Sequence, residues 1–532
     1  MDVMIAGGLI RAAAGLMAAA PTLIVGLFIA AVFRYYLRDG GMQKLFGGES
    51  LRSLPQSWLV GMLLPVCSIG VIPIIREMRR QGIRPGAITA FALSAPLFNP
   101  LSLLYGLTLS RPMVIIGFAI GSLAVVTILG AVWDRYARRT PSETENDDKV
   151  IFGLGRIGAC AIYMARELAG PTGILALIAV AGLFLLGAIL PHGALQAEVE
   201  QMDPLAPLKM SGVSVFVYAT PMLTMSQLGM MFDHGNSPGA AFTLLLLGTG
   251  VNLATLWWIA SNFGYKSTAV WFCILFVCVV GIAYAVDRPL IPPGIEPAGH
   301  THAFDIYTNP LHSNQGITLT KVGGEFEKTT GLADWIGGAV LAIVLLAGLV
   351  MRYAFGKASE SMMTPVETPG EVEFAEKGLH KEVSSTTVGM TCLAGLVAFS
   401  IVGCYAYYPS PKEVFEEMKG PRVDVLTGVT ASDYSRSLRW IPVVEAWTRR
   451  LEVGYAIRNF ELRPYQQMQT YVLRKKLESL EHAIEHATEF KEAADAGDDH
   501  ALIHYEEEVE EMREITDGIV RTMPRLRIAF GE

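Results

Sequence analysis

Residues 58–75 read WLVGMLLPVCSIGVIPII, an uncharged apolar stretch that contains Pro65, Gly70 and Pro73. Proline lacks the backbone N–H that a helix interior needs, so these residues predict a break rather than one continuous helix. Basic clusters flank the stretch, namely Arg34, Arg38, Lys44 and Arg52 before it and Arg76, Arg79, Arg80 and Arg84 after it. Because Lys and Arg gather in cytoplasmic loops, both flanks are expected inside, which predicts a re-entrant hairpin.

A second apolar stretch, residues 213–231 (VSVFVYATPMLTMSQLGMM), is interrupted by Pro221 and has acidic rather than basic flanks. The loop before it holds Glu198, Glu200 and Asp203 against a single Lys209. The turn after it, residues 232–236, has no Lys or Arg. This charge pattern predicts a hairpin that enters the membrane from the outer side.

The two stretches belong to a longer pattern that occurs twice. Residues 85–87 read Pro-Gly-Ala and are followed by Asn99, and residues 238–240 read Pro-Gly-Ala and are followed by Asn252. The offset is the same for both features, since 238 − 85 = 153 and 252 − 99 = 153. The pattern predicts two repeats of opposite topology, which is typical of transporters. An ordinary ten-span membrane protein is the alternative.

The composition fits a membrane protein. Of 532 residues, 52% are hydrophobic and 17% are charged, with a mean hydropathy of +0.39. A bilayer core of about 30 Å needs about 20 apolar residues to cross it as a helix. Eight stretches meet this requirement, at residues 15–33, 87–109, 112–133, 172–190, 239–260, 267–286, 335–351 and 388–407. An all-α protein of the cell membrane follows, with about eight full transmembrane helices, two re-entrant hairpins and both termini outside.

The predicted domains follow these changes in composition. They are a first membrane repeat (1–133), a cytoplasmic linker (134–170), a second, inverted repeat (171–286), an external loop (287–334), two further transmembrane helices (335–407) and a soluble helical C-terminal domain (408–532). In the last domain, an apolar stripe predicts one helix of an antiparallel hairpin, with Leu473, Leu477, Leu480, Ile484 and Ala487. A second helix carries Leu502, Tyr505, Val509, Met512 and Ile519 in similar register.

The candidate pathway residues lie in the two hairpins and at the repeated asparagines. They are Cys67, Ser68, Gly70 and Pro73 in the first hairpin, Thr224, Met225, Ser226 and Gln227 in the second, and Asn99 and Asn252. Ends of broken helices expose backbone groups that bind ions or polar groups. Cys67, Met222 and Met225 offer soft sulfur ligands for a thiophilic ion or a metalloid, with apolar packing as the alternative. For the two asparagines, the alternative is interhelical hydrogen bonding.

Other chemistry has little support in the sequence. The spans of both repeats lack Asp and Glu in their interiors, so Asp233 and His234 are the nearest candidates for carrying a proton. Residues 153–158 fit G-x-G-x-x-G, but no strand–helix–strand unit surrounds them, so dinucleotide binding is not expected. The sequence also lacks the phosphate-binding loop of an ATPase. Four residues of the outer loop could capture a metal, His300, His302, Asp305 and His312, although a solvated loop is the simpler interpretation. We therefore expect no catalytic residues, no cofactor and no nucleic-acid partner.

The first hairpin and its surroundings resemble the ArsP-type predicted permease family. The resemblance rests on residues 65–73 (PVCSIGVIP), followed by residues 85–87, Phe91, Ala95-Pro96 and Asn99-Pro100, and it covers about residues 15–286. That family includes organoarsenical efflux permeases and relatives proposed to move metals. Its pattern commonly reads Cys-Ser-Cys-Gly, whereas Ile69 stands at the second cysteine here, so one thiol of the pair is missing.

These observations together predict a multi-pass permease that exports a small solute by alternating access. The expected solutes are a soft metal ion or a metalloid compound similar to an organoarsenical, and the expected partners are that solute and the lipid bilayer. The alternative is a non-transporting membrane anchor or sensor that binds a protein partner through its C-terminal domain.

Overall fold

The computed structural model describes residues 3–37, 41–48, 50–109, 112–137, 155–195, 199–291, 301–311, 318–354, 385–495 and 499–532. Within these ranges the regular structure is helical, apart from one isolated β-bridge between Glu200 and Asn236. The all-helical prediction is therefore confirmed for the described residues. The chain forms two compact units, Met1–Gly106 with Arg111–Ser400, and Ile401–Glu532 with Leu107–Ser110.

The first half of the larger unit begins with one long helix and continues with shorter ones. The helices are α1 (Val3–Tyr35), α2 (Gly41–Phe46), α3 (Ser53–Leu63), α4 (Val71–Arg80), α5 (Pro85–Ser94), α6 (Pro100–Leu109) and α7 (Pro112–Tyr136). The break between α3 and α4 contains Pro65, as predicted. Another break separates α5 from α6, because Pro100 disfavours a helical conformation at Asn99.

The second half has a similar order of helices. They are α8 (Gly155–Leu168), α9 (Pro171–Ile189), α10 (Ala206–Ser214), α11 (Pro221–Asp233), α12 (Pro238–Thr243), a π-helix (Leu244–Thr249), α13 (Leu253–Phe263) and α14 (Tyr265–Asp287), which ends in a 3₁₀ turn (Arg288–Leu290). The chain bends by 56° between the π-helix and α13. Beyond these come α15 (Leu319–Thr329), α16 (Leu332–Tyr353) and α17 (Ser385–Tyr407).

Six helices of the described part are long and apolar enough to cross a bilayer, namely α1, α7, α9, α14, α16 and α17, and the bent pair around residue 251 could be a seventh. The sequence predicted about eight. The difference arises because residues 87–109 and 239–260, each predicted as one helix, are each broken before an asparagine. Asn99 and Asn252 consequently lie at breaks rather than inside spans.

The four helices of the two predicted hairpins are short. α3, α4, α10 and α11 have 11, 10, 9 and 13 residues. At 1.5 Å per residue they are about 14–20 Å long, whereas the bilayer core is about 30 Å thick. None of the four crosses a membrane by itself.

Each predicted hairpin begins near the start of the helix that follows it, so its two ends lie close together. In the first, a β-carbon on Gly86 would be 2.4 Å from the Gly130 carbonyl oxygen, and one on Gly130 would be 2.7 Å from Leu54 Cδ2. In the second, a β-carbon on Gly239 would be 2.9 Å from Pro207 Cγ. The start of α3 therefore lies near the start of α5, and the start of α10 lies near the start of α12.

One hydrogen-bond arrangement occurs in both halves at the same offset. The Gly86 amide donates to Asp134 Oδ1 at 2.8 Å, and the Gly239 amide donates to Asp287 Oδ1 at 2.8 Å. The positions differ by 239 − 86 = 153 and 287 − 134 = 153. Each aspartate, at the end of a long helix, thus satisfies a free amide in the first turn of a short one.

The neighbours of these residues match as well. Arg84 pairs with Asp134 at 2.8 Å, and Ser237, 153 positions later, donates to Asp287 at 2.6 Å. The two long helices run antiparallel, because the start of α7 (Gly117) lies beside Leu290 at the end of α14, and Trp133 lies 6.5 Å from Trp271. Asp134 and Asp287 are therefore at opposite ends of this helix pair.

The smaller unit is a helical bundle. Its helices are α18 (Pro411–Glu417), α19 (Lys419–Thr430), α20 (Tyr434–Asn459), α21 (Pro464–Asp495) and α22 (Asp499–Ala529). The predicted stripe of α21 is buried, as are Met512 and Ile519 of α22. Leu502 was predicted to join this core but is 48% exposed, because it lies in the first turn of α22 on the solvent side. A buried ion pair joins Arg474 to Glu452 at 2.9 Å.

Candidate functional site

The two halves of the larger unit meet in a buried polar contact. Asn252 Nδ2 donates to Ser68 Oγ at 2.8 Å, and both side chains are at most 1% exposed. Ser68 lies in the break before α4, and Asn252 caps α13 by accepting from the Thr255 amide at 2.9 Å. The contact therefore joins two of the positions that sequence patterns selected independently.

A second buried pair lies in the other hairpin. The hydroxyl oxygens of Thr224 and Thr249 are 2.7 Å apart, and both residues are fully buried. Thr224 is in the first turn of α11, and Thr249 ends the π-helix shortly before Asn252. Thr224 also donates to the Thr220 carbonyl at 3.1 Å. The start of α11 is thereby held next to the break that precedes α13.

The two hairpin breaks also approach each other at Cys67 and Tyr218. The Cys67 thiol accepts from the Gly70 amide at 3.3 Å and lies beside the hydroxyl of Tyr218. Tyr218 is only 2% exposed. A thiol is a weak hydrogen-bond partner, and no well-formed hydrogen bond reaches the Tyr218 hydroxyl from the described residues.

The first turns of four broken helices surround these contacts. α4 begins after Ser68, α11 after Thr220, α13 after Asn252, and α6 after Asn99. Leu97, just before α6, lies 3.1 Å from the position of a β-carbon on Gly250, just before α13. Helix N-termini carry a partial positive charge, so the centre of the unit favours negatively charged groups.

The remaining predicted residues occupy different surroundings. Met225 is buried, with its sulfur 3.0 Å from the position of a β-carbon on Gly106, whereas Met222 and Ser226 are half-buried. Pro73 is buried in α4. Gly70 packs against α1, since a β-carbon there would be 2.6 Å from the Thr22 carbonyl oxygen, which gives this glycine a packing role.

Asn99 makes local hydrogen bonds within the described residues. Its Oδ1 accepts from the Ser102 amide at 2.7 Å, and its own amide donates to Ser102 Oγ at 2.9 Å. This is the reciprocal arrangement of a helix N-cap. Asn99 thus caps α6, whereas Asn252, the second asparagine of the repeat, reaches across to Ser68 in the other half.

Metal ligands are not grouped in the described residues. No cluster of three or more His, Cys, Asp or Glu side chains suitable for a metal ion occurs among them. His302 Nδ1 lies 2.6 Å from Asp305 Oδ2, and His234 Nδ1 lies 2.6 Å from the Met230 carbonyl oxygen. His300 and His312 fall outside the described residues.

A cavity of about 500 Å³, here called the arginine cavity, opens at the end of the unit where α1 and α4 finish. It is lined by Arg34, Arg76, Glu77, Arg79, Arg80, Tyr163, Glu167, Pro171, Ile174, Leu175, Trp257, Trp258, Ser261 and Asn262. Four arginines and two glutamates give the lining two net positive charges, since 4 − 2 = 2. Its volume suits a small-molecule site.

Ion pairs connect the helices around the arginine cavity. Arg76 of α4 pairs with Glu167 of α8, which also accepts from Thr172 at 2.6 Å. The nearly buried Glu77 lies 3.8 Å from Arg34 and 3.9 Å from Arg80. These pairs link the end of α4 to the ends of α1 and α8.

Aromatic residues complete the lining. The Arg79 guanidinium lies over the Phe263 ring at 4.8 Å, which joins α4 to α13. Trp257 is 51% exposed, whereas Trp258 is buried. Burial, reinforced by Glu167 and Glu77, raises the pKa of Tyr163 well above its usual value, so this phenol stays neutral.

The opposite end of the unit is covered by residues 301–311. Gln227 of α11 donates to the Ala303 carbonyl at 2.8 Å and accepts from the Tyr307 hydroxyl at 2.8 Å. Burial raises the pKa of Tyr307, so the phenol keeps the proton it donates. Arg11 of α1 donates to the Thr308 carbonyl at 2.7 Å. This segment is packed between α1 and α11.

Sequence reasoning missed three parts of the site. Tyr218 and Thr249 carry no motif; Tyr218 lies three residues before the predicted break at Pro221, whereas Thr249 lies inside residues 239–260, which were predicted as one helix. The pair Asp134 and Asp287 could have been found, because the offset of 153 connects them directly. The packing of residues 301–311 had no sequence signal.

Comparisons with known proteins give one family and one relative. The family model ArsP_1, described as a predicted permease, matches residues 10–287, just over half of the chain. UPF0718 protein YcgR of Bacillus subtilis (strain 168) is 27% identical over 88 residues, which are 16% of this chain and 30% of that protein. The chain therefore covers under a third of that relative's length. No solved structure matches.

Proposed function

The chain belongs to the ArsP_1 family of predicted permeases, and on that premise we propose that it moves a small solute across the membrane by alternating access. The observation that carries the proposal is the 2.8 Å contact of Asn252 with Ser68, 184 residues apart in sequence. Broken helices that meet at a buried polar centre are a recurring feature of solute-binding sites in transporters.

The proposal includes two inverted repeats. It is supported by the paired contacts of Gly86 with Asp134 and of Gly239 with Asp287, which share one offset of 153. The antiparallel course of α7 and α14 supports the opposite orientation of the halves. In this arrangement the membrane repeats are 1–133 and 171–286, joined by the linker 134–170.

Each repeat is proposed to contain one re-entrant hairpin. Residues 53–80 start and end beside the same end of α7, and residues 206–233 start and end beside the same end of α14. Hairpins of this kind are tolerated in a membrane where they are buried in protein. Ser68 and Thr224 are buried in these two hairpins.

The structure has the features expected of one state of such a permease. The arginine cavity opens at the basic end, which the distribution of Lys and Arg assigns to the cytoplasm. The other end is covered by residues 301–311, which bind Gln227 through two hydrogen bonds. We assign this conformation as open to the cytoplasm, with both termini outside in the cell membrane and efflux as the direction.

A flux assay tests this function. The protein would be expressed in a bacterial host that lacks its own efflux genes, with a screen of tolerance to arsenicals, copper, zinc and mercury. Tolerance to at least one compound is expected with the wild type and not with Asn252→Leu. Asn459→Leu, on an exposed position of α20, is the matched control and should behave as wild type. Equal tolerance in cells with wild type and with Asn252→Leu would contradict the proposed site.

Deletion of residues 408–532 separates this proposal from the alternative of an anchor or sensor. Transport that survives the deletion supports the permease and gives the C-terminal unit an accessory role. If no solute moves with either chain and the deletion abolishes a complex with a partner protein, the anchor is supported instead.

A further inference from the structure

We propose that the solute is a small anion, bound through negatively charged oxygens at the centre of the larger unit and admitted through the arginine cavity. This inference rests on the proposed permease function. It adds a substrate class that the family description does not give.

The central site has the electrostatics of an anion site. α4, α6, α11 and α13 each have ten or more residues and begin around the Ser68–Asn252 contact. The dipoles of these four helices give the site a positive potential. No Asp or Glu occurs in residues 53–76, 85–109, 206–232 or 238–263, so these segments place no carboxylate at the centre to neutralise that potential. A cation would find no anionic ligand there.

The side chain of Tyr218 is the second observation that points to a ligand. Its buried hydroxyl has the Cys67 thiol, a weak hydrogen-bond acceptor, as its neighbour, and no oxygen or nitrogen atom of the described residues accepts from it. Leaving a buried hydroxyl unsatisfied costs about 1–3 kcal/mol, and a thiol offsets only part of that cost, so a stronger acceptor at this position would be favoured. The Tyr218 hydroxyl can donate a hydrogen bond to a negatively charged oxygen of the solute.

The arginine cavity provides the entrance for such a solute. α4 and α13 both start at the centre and reach this cavity with their later turns, through Arg76–Arg80 and Trp257–Asn262. Trp257 is five residues beyond Asn252, which is about 8 Å along a helix. The two net positive charges of the lining attract anions and raise their local concentration.

Arginines at a cytoplasmic surface also bind lipid phosphates, so two sources of anionic oxygens must be distinguished. The full-length protein would be placed in phosphatidylcholine nanodiscs and titrated calorimetrically with sodium phosphate, sodium sulfate and sodium acetate at constant ionic strength. Zinc chloride is the cationic probe. We expect at least one of the three anions to bind and zinc not to bind.

Three variants test the assignment of residues. Tyr218→Phe should weaken anion binding about tenfold, because it removes one hydrogen bond to a charged group. The double variant Arg79→Gln/Arg80→Gln should weaken it by a similar factor at low salt and less at high salt. Arg135→Gln, an exposed arginine at the same end of the unit, is the control and should bind as wild type.

Several results would overturn the proposal. These are zinc binding without anion binding, binding of none of the three anions, and unchanged affinity in both the Tyr218 and the arginine variants. The heat of phosphate binding could also disappear when phosphatidylglycerol replaces phosphatidylcholine in the nanodiscs. That result would assign the arginine cavity to lipid headgroups. The flux assay can show transport that Asn252→Leu abolishes while these titrations detect no anion binding. That combination would support the permease and reject an anion as its solute.

Discussion

Asn252 reaches across from the cap of α13 to bind Ser68 in the break before α4, at 2.8 Å and out of contact with solvent. The two residues belong to different halves of the larger unit. Any motion that separates the halves must break this hydrogen bond or carry both residues together. The contact is therefore the most direct target for testing how the halves cooperate.

A double-mutant cycle measures that cooperation. Ser68→Ala and Asn252→Ala are each expected to lower transport strongly, because each leaves the other polar group buried with one partner fewer, at about 1–3 kcal/mol. For the double variant, the loss of transport, expressed as a free energy, should be smaller than the sum of the losses in the two single variants. Initial flux rates in proteoliposomes give the coupling energy. Strictly additive losses would show that the two side chains act separately.

Asn99 calls for a different pair of substitutions, because the hydrogen bonds described for it are those of a cap. Asn99→Leu removes the cap of α6 and should abolish transport. Asn99→Ser keeps a good capping side chain and should retain more than half of the wild-type flux. Surface amounts of all variants, measured by immunoblotting of membranes, serve as the control. A serine variant as inactive as the leucine variant would mean that the amide itself is required.

Gly86 and Gly239 test the repeated packing. A methyl group would lie 2.4 Å from the Gly130 carbonyl oxygen in the first case and 2.7 Å from the Ala283 carbonyl oxygen in the second. Gly86→Ala and Gly239→Ala should therefore each lower the melting temperature in detergent by several degrees, at a cost of about 1–3 kcal/mol. Gly281→Ala is the control, since a methyl group there meets nothing within 4 Å.

A neutral effect in both glycine variants would mean that the close approaches are not needed. If the two positions are equivalent, both variants should lower the melting temperature by the same amount. A large loss in one variant alone would argue that the two halves differ in packing although their hydrogen bonds match.

Tyr307→Phe tests the cover formed by residues 301–311. The substitution removes the hydrogen bond to Gln227, worth about 1 kcal/mol, so the segment should open roughly fivefold more often. The rate at which a membrane-impermeant maleimide labels Ala303→Cys, a buried position, reports this opening. Tyr265→Phe, at a 70% exposed position, is the control and should leave the rate unchanged. Slower or equal labelling in Tyr307→Phe would contradict a covering role.

Local rules predicted the parts of this architecture that depend on single residues. Pro65 and Pro221 mark the two hairpin breaks, and Asn99 and Asn252 were found through their spacing. The same rules failed at residues 87–109, where the apolar run hides the break that Pro100 imposes. Tyr218, Thr249 and residues 301–311 could not be found, because their roles depend on contacts between segments far apart in sequence, and apolar patterns do not encode which segments meet.

The proposed opposite orientation of the two hairpins predicts a difference in accessibility. Leu51 precedes the first hairpin and is 66% exposed, and Met202 precedes the second and is 81% exposed. In a background with Cys273→Ser, an impermeant maleimide applied to intact cells should label Met202→Cys and leave Leu51→Cys unlabelled. Both should react after permeabilisation, which controls for reactivity. Because basic residues surround Leu51 and acidic residues surround Met202, the charge rule requires this difference. Labelling of both sites in intact cells would place the two hairpins on one side, and an inverted repeat could not then account for the shared offset of 153.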